Sequence, residues 1–292
     1  MTDSEAGPAG ADRGPAGAAG AGPEAPPAPV LSFLSDYGRA DEFVGVVHSV
    51  VLSLCRRARI VDLSHEVPAH DVRAGAALLR RAAPYLVPGV VLAVVDPGVG
   101  GKRRRVVLDC GRWQLVGPDN GVLVATAARL GGIRRAVEAT DHGWWLPRPA
   151  MTFDGRDIFG PLAAHLCLGV DPERFGPRID PDGLERLPDP VMARTPEGTL
   201  LCEVESVDRF GNVGLTARPP DLPESGSDTF SVRSQSGGRS HPARRVTSFG
   251  ELGPEELGLL TDSSGHLAVV LDRARAAERL AVVPGDRVEI AP

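Results

Sequence analysis

The residue best placed to take part in a reaction is an aspartate that ends a short apolar strand. Residues 91–95 read as a buried strand that runs directly into Asp96, and a Pro-Gly turn and a basic cluster follow. Open α/β sheets bind ligands in the crevice outside the carboxyl ends of their strands, and glycine lets the backbone approach a ligand closely. Asp96 is therefore a candidate for chemistry, although an aspartate that caps a Pro-Gly turn would have the same neighbours.

Polar residues follow other apolar strands in the same way. They lie in the segments 35–38, 117–121 and 208–212, and the segment 152–157 leads into a helix. If these carboxylates converge at one sheet edge, two chemical options stay open. One is a divalent metal held by Asp36, Asp96 and Asp119. The other is a set of carboxylates that bind hydroxyl groups and a cationic substrate.

Composition limits the classes of protein to which the chain can belong. Its 292 residues are 42% hydrophobic and 24% charged, as in a globular protein of one large or two ordinary domains. The net charge of −6 argues against nucleic acid or an anionic membrane as a partner, and the basic run 102–105 is interpreted as a solvated turn. Four widely spaced cysteines predict reduced thiols in a cytoplasmic protein, and no apolar signal segment precedes Val30.

The first part of the chain predicts a parallel sheet. Residues 1–29 are rich in Ala, Gly and Pro and are predicted to be disordered. Strands are predicted at 30–35, 59–63 and up to Asp96, with helices between them capped by Asp41 and Asp71. This alternation favours parallel pairing with right-handed crossovers. Later elements are strands at 105–110 and 114–116, a helix after Asn120, and a helix over 158–168 opened by Asp157.

The pattern changes after residue 185. Short β-like runs separated by turns are typical of a small barrel or sandwich. They lie at 200–207, 212–216, 229–232, 244–249, 258–261, 266–271 and 286–290. The Ser- and Gly-rich segment 219–242 is predicted to contain a mobile loop. We therefore predict two domains, at 30–185 and 186–292.

Taken in order, these segments resemble those of the S-adenosylmethionine (SAM) hydroxide adenosyltransferases, which are SAM hydrolases related to fluorinating and chlorinating enzymes. The resemblance rests on the segments 35–38, 60–65, 95–103, 117–121, 153–161, 210–213 and 276–280, which are collinear in this chain. It implies an N-terminal Rossmann-like domain with a mostly parallel sheet and a C-terminal β-barrel. It also implies a homotrimer with active sites between subunits, and hydrolysis of SAM to adenosine and methionine at ribose C5′.

The resemblance also assigns roles to residues. Asp96 and Arg103 belong to the group that positions and activates water. Asp36 is expected to bind the ribose hydroxyls, and the pocket walls are Tyr37, His70 and Phe153. The residues expected at the methionine end are Asp208, Phe210 and Asn212. Those expected near adenine are Asp272 and Ala276. No cofactor or metal is expected, because a sulfonium is already a good leaving group and the task is to align water, carbon and sulfur.

One position departs from the family pattern. The family has a histidine between Phe153 and Gly155, and this chain has Asp154. A carboxylate beside Asp96 is expected to repel it and to leave a shared proton, so that the pair still supplies a general base. The alternative is a SAM- or adenosine-binding protein with impaired catalysis. A metal-dependent phosphohydrolase that uses Asp36, Asp96 and Asp119 is the third possibility.

Overall fold

The computed structural model describes residues 28–147 and 150–292. The predicted disordered segment 1–29 lies outside them except for its last two residues. A first sheet takes its seven strands from the N-terminal half of the chain, in the spatial order β2-β1-β3-β5-β4-β6-β7. These strands are β1 Val30–Ser35, β2 Arg59–Ser64, β3 Gly89–Val94, β4 Arg105–Asp109, β5 Trp113–Pro118, β6 Arg135–Glu138 and β7 Arg178–Ile179.

The predicted α/β class is confirmed, and the first sheet is mixed. Strands β2, β1, β3 and β5 are parallel to one another. A helix lies between β1 and β2 and another between β2 and β3, whereas the strand β4 lies between β3 and β5. Strands β4, β6 and β7 pair antiparallel. Only residues 110–112 connect β4 to β5, and a connection this short permits only an antiparallel pair. The carboxyl ends of β1 and β3 consequently share one edge of the sheet.

Five α-helices are described: α1 Phe43–Leu54, α2 Val72–Ala82, α3 Val124–Arg129, α4 Gly160–Cys167 and α5 Ala276–Leu280. The side chain of Asp71 accepts a hydrogen bond from the Ala74 backbone N–H at 2.8 Å, so the predicted cap of α2 is confirmed. The predicted cap of α1 is wrong, because the residue before the helix is Glu42 and no side chain caps it. The predicted opening of a helix at Asp157 is also wrong. A π turn, Gly155–Phe159, contains this residue and precedes α4.

The C-terminal half forms a closed barrel of seven strands with an eighth strand at its margin. Closure comes from the pairing of β9 with β10, and β12–β13 is a parallel pair among antiparallel neighbours. The strands are β8 Met192–Arg194, β9 Leu200–Val207, β10 Val213–Leu215, β11 Thr229–Ser234, β12 His241–Arg245, β13 Leu257–Thr261, β14 Leu267–Leu271 and β15 Arg287–Ala291. The barrel is confirmed over the sandwich, and the strand predicted at 244–249 lies instead at 241–245.

Two separate apolar cores cover the faces of the first sheet, and a third fills the barrel. Helix α2 joins the two halves of the chain, because Arg80 and Arg81 both bind Glu205 on β9. Arg73 on the same helix binds Glu203 at 2.7 Å. In the described ranges, no helix is both long and apolar enough to cross a membrane.

Candidate active site

Close backbone contacts bring the loops after β1 and β3 and the segment before α4 together. Gly100 has φ +75°, and a Cβ on it would lie 2.3 Å from the Met151 carbonyl oxygen. A Cβ on Gly155 would lie 2.0 Å from the Tyr37 hydroxyl. Only glycine fits either position. The predicted site residues Tyr37, Asp96 and Asp154 are thereby held in one place.

Arg103 links two buried carboxylates. Its Nε lies 2.9 and 3.0 Å from the two carboxylate oxygens of Asp96, and its Nη2 also binds Asp96. The same Nη2 lies 2.6 Å from Asp154 Oδ2. The side chains of Asp96 and Asp154 are only 5% and 1% exposed, so these pairs are shielded from water. The structure therefore places Asp96, Arg103 and Asp154 together, as the sequence predicts.

A second arginine, which sequence reasoning missed, completes this group. Arg105 Nε and Nη2 lie 3.0 and 2.9 Å from Asp154 Oδ2. The two carboxylates thus share two guanidinium groups, and the formal charges of the four side chains sum to zero. The positive charges of Arg103 and Arg105 offset the predicted repulsion between Asp96 and Asp154. We call Asp96, Arg103, Arg105 and Asp154 the charged cluster.

Arg103 keeps one donor group unused inside the charged cluster. Burial opposes its charge, but hydrogen bonds to Asp96 and Asp154 raise the pKa of the Arg103 guanidinium above its ordinary value. Its Nη1 is buried, and the described residues supply no hydrogen-bond acceptor for it. A buried donor without a partner is costly in a native protein. This N–H group is therefore suited to bind the oxygen of a water molecule or of a ligand beside Asp96.

Tyr37 forms an aromatic wall next to the charged cluster. Its ring meets Phe153 and Phe43 at centroid distances of 5.5 and 5.9 Å, in edge-on and tilted contacts. Burial raises the pKa of Tyr37 far above its ordinary value, and the nearby carboxylates of Asp36, Asp96 and Asp154 raise it further. The hydroxyl is consequently neutral and is held against Gly155. The predicted pocket residues Tyr37 and Phe153 lie together.

Asp36 and His70 are also neighbours. Asp36 Oδ2 accepts a hydrogen bond of 2.9 Å from the His70 backbone N–H. His70 has φ +69°, a left-handed conformation that is uncommon for a histidine and typical of functional loops. Its side chain is exposed, as a residue that contacts a ligand must be.

A buried histidine supports the Asp36 loop from behind. His65 Nδ1 lies 2.7 Å from the Ser35 hydroxyl, and its carbonyl oxygen accepts the Gly38 N–H at 2.7 Å. Asp62 Oδ1 lies 3.0 Å from His65 Nε2 and 2.9 Å from His48 Nε2. Burial lowers the pKa of His65 despite the neighbouring Asp62. A neutral ring therefore orients the strand end that carries Asp36.

The carboxylates of the metal hypothesis each bind a protein group instead. Asp96 binds Arg103, and Asp119 accepts from Arg104 Nε at 2.7 Å and from the Glu185 N–H at 3.0 Å. Across the described residues, the group of side chains with spacing suited to a metal ion is His48, Asp62 and His65. The geometry thus gives no support to a trio of Asp36, Asp96 and Asp119.

The predicted methionine-end residues form a compact turn between β9 and β10. Asp208 Oδ1 accepts the backbone N–H groups of Phe210 and Asn212, both at 2.9 Å. Its other oxygen accepts the Asn212 side-chain amide at 2.8 Å. Gly211 has φ +86°, and a Cβ there would lie 2.5 Å from Arg275 Cβ. This turn and the segment before α5 therefore pack as one unit.

A cavity of about 980 Å³ opens beside this turn. Asp208, Phe210, Asn212 and Arg275 line it, and Phe210 is 69% exposed. Asp272 is absent from the lining of this cavity, although its neighbours Leu271 and Arg273 belong to it. The Ala276 side chain is 0% exposed in the barrel core. The adenine roles of both residues stay predictions.

The charged cluster is absent from the lining of this cavity. The two halves of the predicted site are therefore separate within one chain.

Comparison with known proteins identifies the family of the chain. Residues 31–176 match the SAM hydroxide adenosyltransferase N-terminal domain, and residues 202–289 match the corresponding C-terminal domain. The chain belongs to the SAM hydroxide adenosyltransferase family. Both matched segments contain site residues, with Asp96 and Asp154 in the first and Asn212 in the second.

Similar proteins cover almost the whole chain. A protein of Salinispora tropica named (R)-S-adenosyl-L-methionine hydrolase is 46% identical, over 90% of this chain and 97% of its own length. One of the same name from Thermus thermophilus is 41% identical over 88% and 98%. A fluorinase of Actinopolyspora mzabensis is 25% identical over 68% and 74%. A crystal structure of an uncharacterized conserved protein from Thermotoga maritima has a TM-score of 0.81 at 34% identity, over 90% of this chain and 100% of that one.

Sequence reasoning missed residues that pack around the family motifs. The basic run 102–105 was interpreted as a solvated turn, but Arg103, Arg104 and Arg105 each bind a buried aspartate. An available signal was the position of the run, immediately before a strand and after the Asp96 loop. Trp145, which precedes the Phe153 segment, packs beside the same group. Its ring centre lies 5.3 Å from the Arg105 guanidinium carbon, so it supports the cluster from outside the family segments.

Proposed function

We propose that the protein hydrolyses S-adenosyl-L-methionine to adenosine and L-methionine by attack of water at ribose C5′. The observation that carries the proposal is the buried cluster of Asp96, Arg103 and Asp154 in a chain that spans relatives named as this hydrolase. The names of these relatives specify (R)-SAM. We therefore propose that the protein acts on SAM whose sulfonium centre has the R configuration. Turnover of the two separated epimers tests this extension directly.

The chemistry follows from the positions of the charged groups. A water oxygen next to Asp96 would accept a hydrogen bond from Arg103 Nη1 and donate one to the Asp96 carboxylate. As this oxygen attacks C5′, the C5′–S bond breaks and its electron pair goes to sulfur, which leaves as the neutral thioether of methionine. The proton of the water passes to Asp96 and then to solvent. Asp96 acts as the base, and Arg103 positions the water.

Substrate recognition is divided between the two halves of the chain. Asp36 lies at a strand end where its carboxylate can accept the ribose hydroxyls, next to His70 and the aromatic wall of Tyr37 and Phe153. Asp208 and Asn212 offer acceptor and donor groups for the amino acid end, with Phe210 beside them in the cavity. We assign no cofactor or metal to this reaction, because the sulfonium needs no protonation to leave. Addition of EDTA should therefore leave turnover unchanged.

We further propose a homotrimer in which the charged cluster of one subunit faces the cavity of the next. The separation of these two half-sites within one chain and the exposed Phe210 support it. Mixing Asp96→Ala with Asn212→Ala chains tests it, because each variant alone is inactive but a mixed assembly regains about a quarter of its sites. No recovery on mixing would contradict a shared site. We also propose two domains, at 30–185 and 186–292, and a cytoplasmic location, which the free cysteines favour.

Product analysis provides the main test. Purified protein incubated with SAM should release adenosine and methionine in equal amounts, and in heavy-oxygen water the label should appear on the 5′-hydroxyl of adenosine. The matched control is Asp96→Ala, which removes the base. If the unsubstituted protein forms no more product than Asp96→Ala but is stabilised thermally by SAM, the binding-protein alternative is correct. Fluoride should not replace water, because Asp96 repels an anion.

A further inference from the structure

Arg105 occupies a constrained position at the start of β4. Two nitrogens on one edge of its guanidinium, Nε and Nη2, lie 3.0 and 2.9 Å from Asp154 Oδ2. Its guanidinium carbon also lies 5.3 Å from the centre of the Trp145 ring. The Trp145 ring in turn stacks on His142 at 4.0 Å with an interplanar angle of 28°. A planar guanidinium held between a carboxylate and an aromatic ring has little freedom to reorient.

The charge balance of the cluster depends on this arginine. Asp154 is 1% exposed, so water does little to stabilise its charge. Without Arg105, Asp154 would attract the Arg103 guanidinium more strongly. The Nε of Arg103 already binds both carboxylate oxygens of Asp96. Competition for Arg103 would weaken its contact with Asp96, the base in the proposed reaction. A buried charge that loses one of its partners is strongly destabilised.

We propose that Arg105 is a positioning residue for the hydrolysis. Fixed by Trp145, it balances the charge of Asp154 and so leaves Arg103 aligned on Asp96 with Nη1 directed to the water. This role rests on the proposed function, and it adds a residue outside the predicted catalytic group. In this role the effect of Arg105 is transmitted through Asp154 and Arg103.

A double-mutant cycle on the full-length protein tests this role. Arg105→Met should lower kcat about 30-fold with less than a threefold change in KM, because a misplaced catalytic group costs rate rather than binding. Arg105→Lys should recover only part of the rate, since an ammonium lacks the planar fork. In the Asp154→Asn background, Arg105→Met should cost less than threefold, because no charge is left for it to balance. The control is Arg135→Met, which removes an arginine from the buried Asp109 elsewhere in the same sheet and should leave kcat unchanged.

A second measurement does not depend on turnover. The side-chain Nε–H signal of Arg103 in a nitrogen-15 spectrum, assigned from its loss in Arg103→Lys, should shift and exchange faster with water in Arg105→Met but not in Arg135→Met. If the unsubstituted protein forms no adenosine, the proposed function fails, while a shifted Arg103 signal still shows that Arg105 orients Arg103. An unchanged Arg103 signal, or rate losses that simply multiply in the double variant, would overturn it.

Discussion

Substitution of Gly155 by alanine tests the geometry of the aromatic wall most directly. The added methyl carbon would lie 2.0 Å from the Tyr37 hydroxyl oxygen and 3.0 Å from Tyr37 Cζ. An ordinary contact needs roughly 3.5 Å, so one of the two groups must move by about 1.5 Å. The Tyr37 ring is packed against Phe33, Phe43 and Phe153, with centroids 5.5 to 6.4 Å away, and cannot swing aside without disturbing them.

The displacement should therefore reach Asp154, the residue next to Gly155. A 1 Å misplacement of a catalytic group costs roughly 10²-fold in rate, and overpacking costs about 1–3 kcal/mol in stability. We expect Gly155→Ala to lower kcat about 100-fold and to remain folded. Adenosine release at saturating SAM measures the rate, and urea unfolding measures the loss of stability.

Two further variants make this test decisive. Tyr37→Phe removes the oxygen that the methyl group meets, so the double variant Gly155→Ala, Tyr37→Phe should regain much of the lost rate. Gly45→Ala is the control, because a Cβ at this position in α1 meets no atom within 4 Å and should stabilise the helix by about 1 kcal/mol. A kcat for Gly155→Ala within threefold of the unsubstituted protein would refute the close fit between Tyr37 and Gly155.

Three other expected outcomes follow from the site. Asp154→His should lower kcat at least about tenfold, because it removes the buried carboxylate that binds both Arg103 and Arg105; a faster enzyme in the product assay would contradict this. Phe210→Ala should raise KM for SAM about tenfold, equivalent to ~1.4 kcal/mol, with a small effect on kcat in initial-rate measurements. Burial lowers the pKa of His65, so its stabilising effect is complete above the unfolded value near 6.5 and is lost as pH falls below it. Urea unfolding at pH 7.5 and 5.5 should thus show a larger loss for the unsubstituted protein than for His65→Gln, and equal losses would contradict the assignment.

The parallel part of the first sheet was predictable because its strands carry a clear signal. Strands β1 and β3 are short apolar runs that end on Asp36 and Asp96, and helices of recognisable period separate them. The direction of β4 was not predicted, because periodicity carries no information about strand direction. The brevity of the connection at residues 110–112 held that information.

Local errors arose where tertiary contacts overrule local preference. Asp157 has the residue type of a helix cap, but it lies inside the π turn, where its carboxylate binds Arg156. Strand β12 includes Pro242, a residue that argues against a strand in sequence reasoning. Pro242 is accommodated opposite Ser231 on β11, and the strand consequently begins three residues earlier than predicted.

Three residues of the charged cluster were predicted from the sequence, but the second arginine that contributes to its charge balance was not. Asp96, Arg103 and Asp154 were found from their motifs. The second positive charge beside Asp154 was not predicted, because Arg105 lies outside those motifs. Its contact with Asp154 joins residues 49 positions apart, and sequence spacing alone does not reveal such a contact.

The π turn at Gly155–Phe159 makes the number of residues in this segment as consequential as their identity. The Gly160 N–H bonds to the Gly155 carbonyl, five positions back, so the turn holds one residue more than an α-helical turn does. Deleting any one of them would restore regular α geometry and rotate everything upstream by roughly 100° about the helix axis. Asp154 would then point away from both arginines. A homologue shortened here by a single codon could retain each acidic and basic residue of the site and still be unable to assemble it.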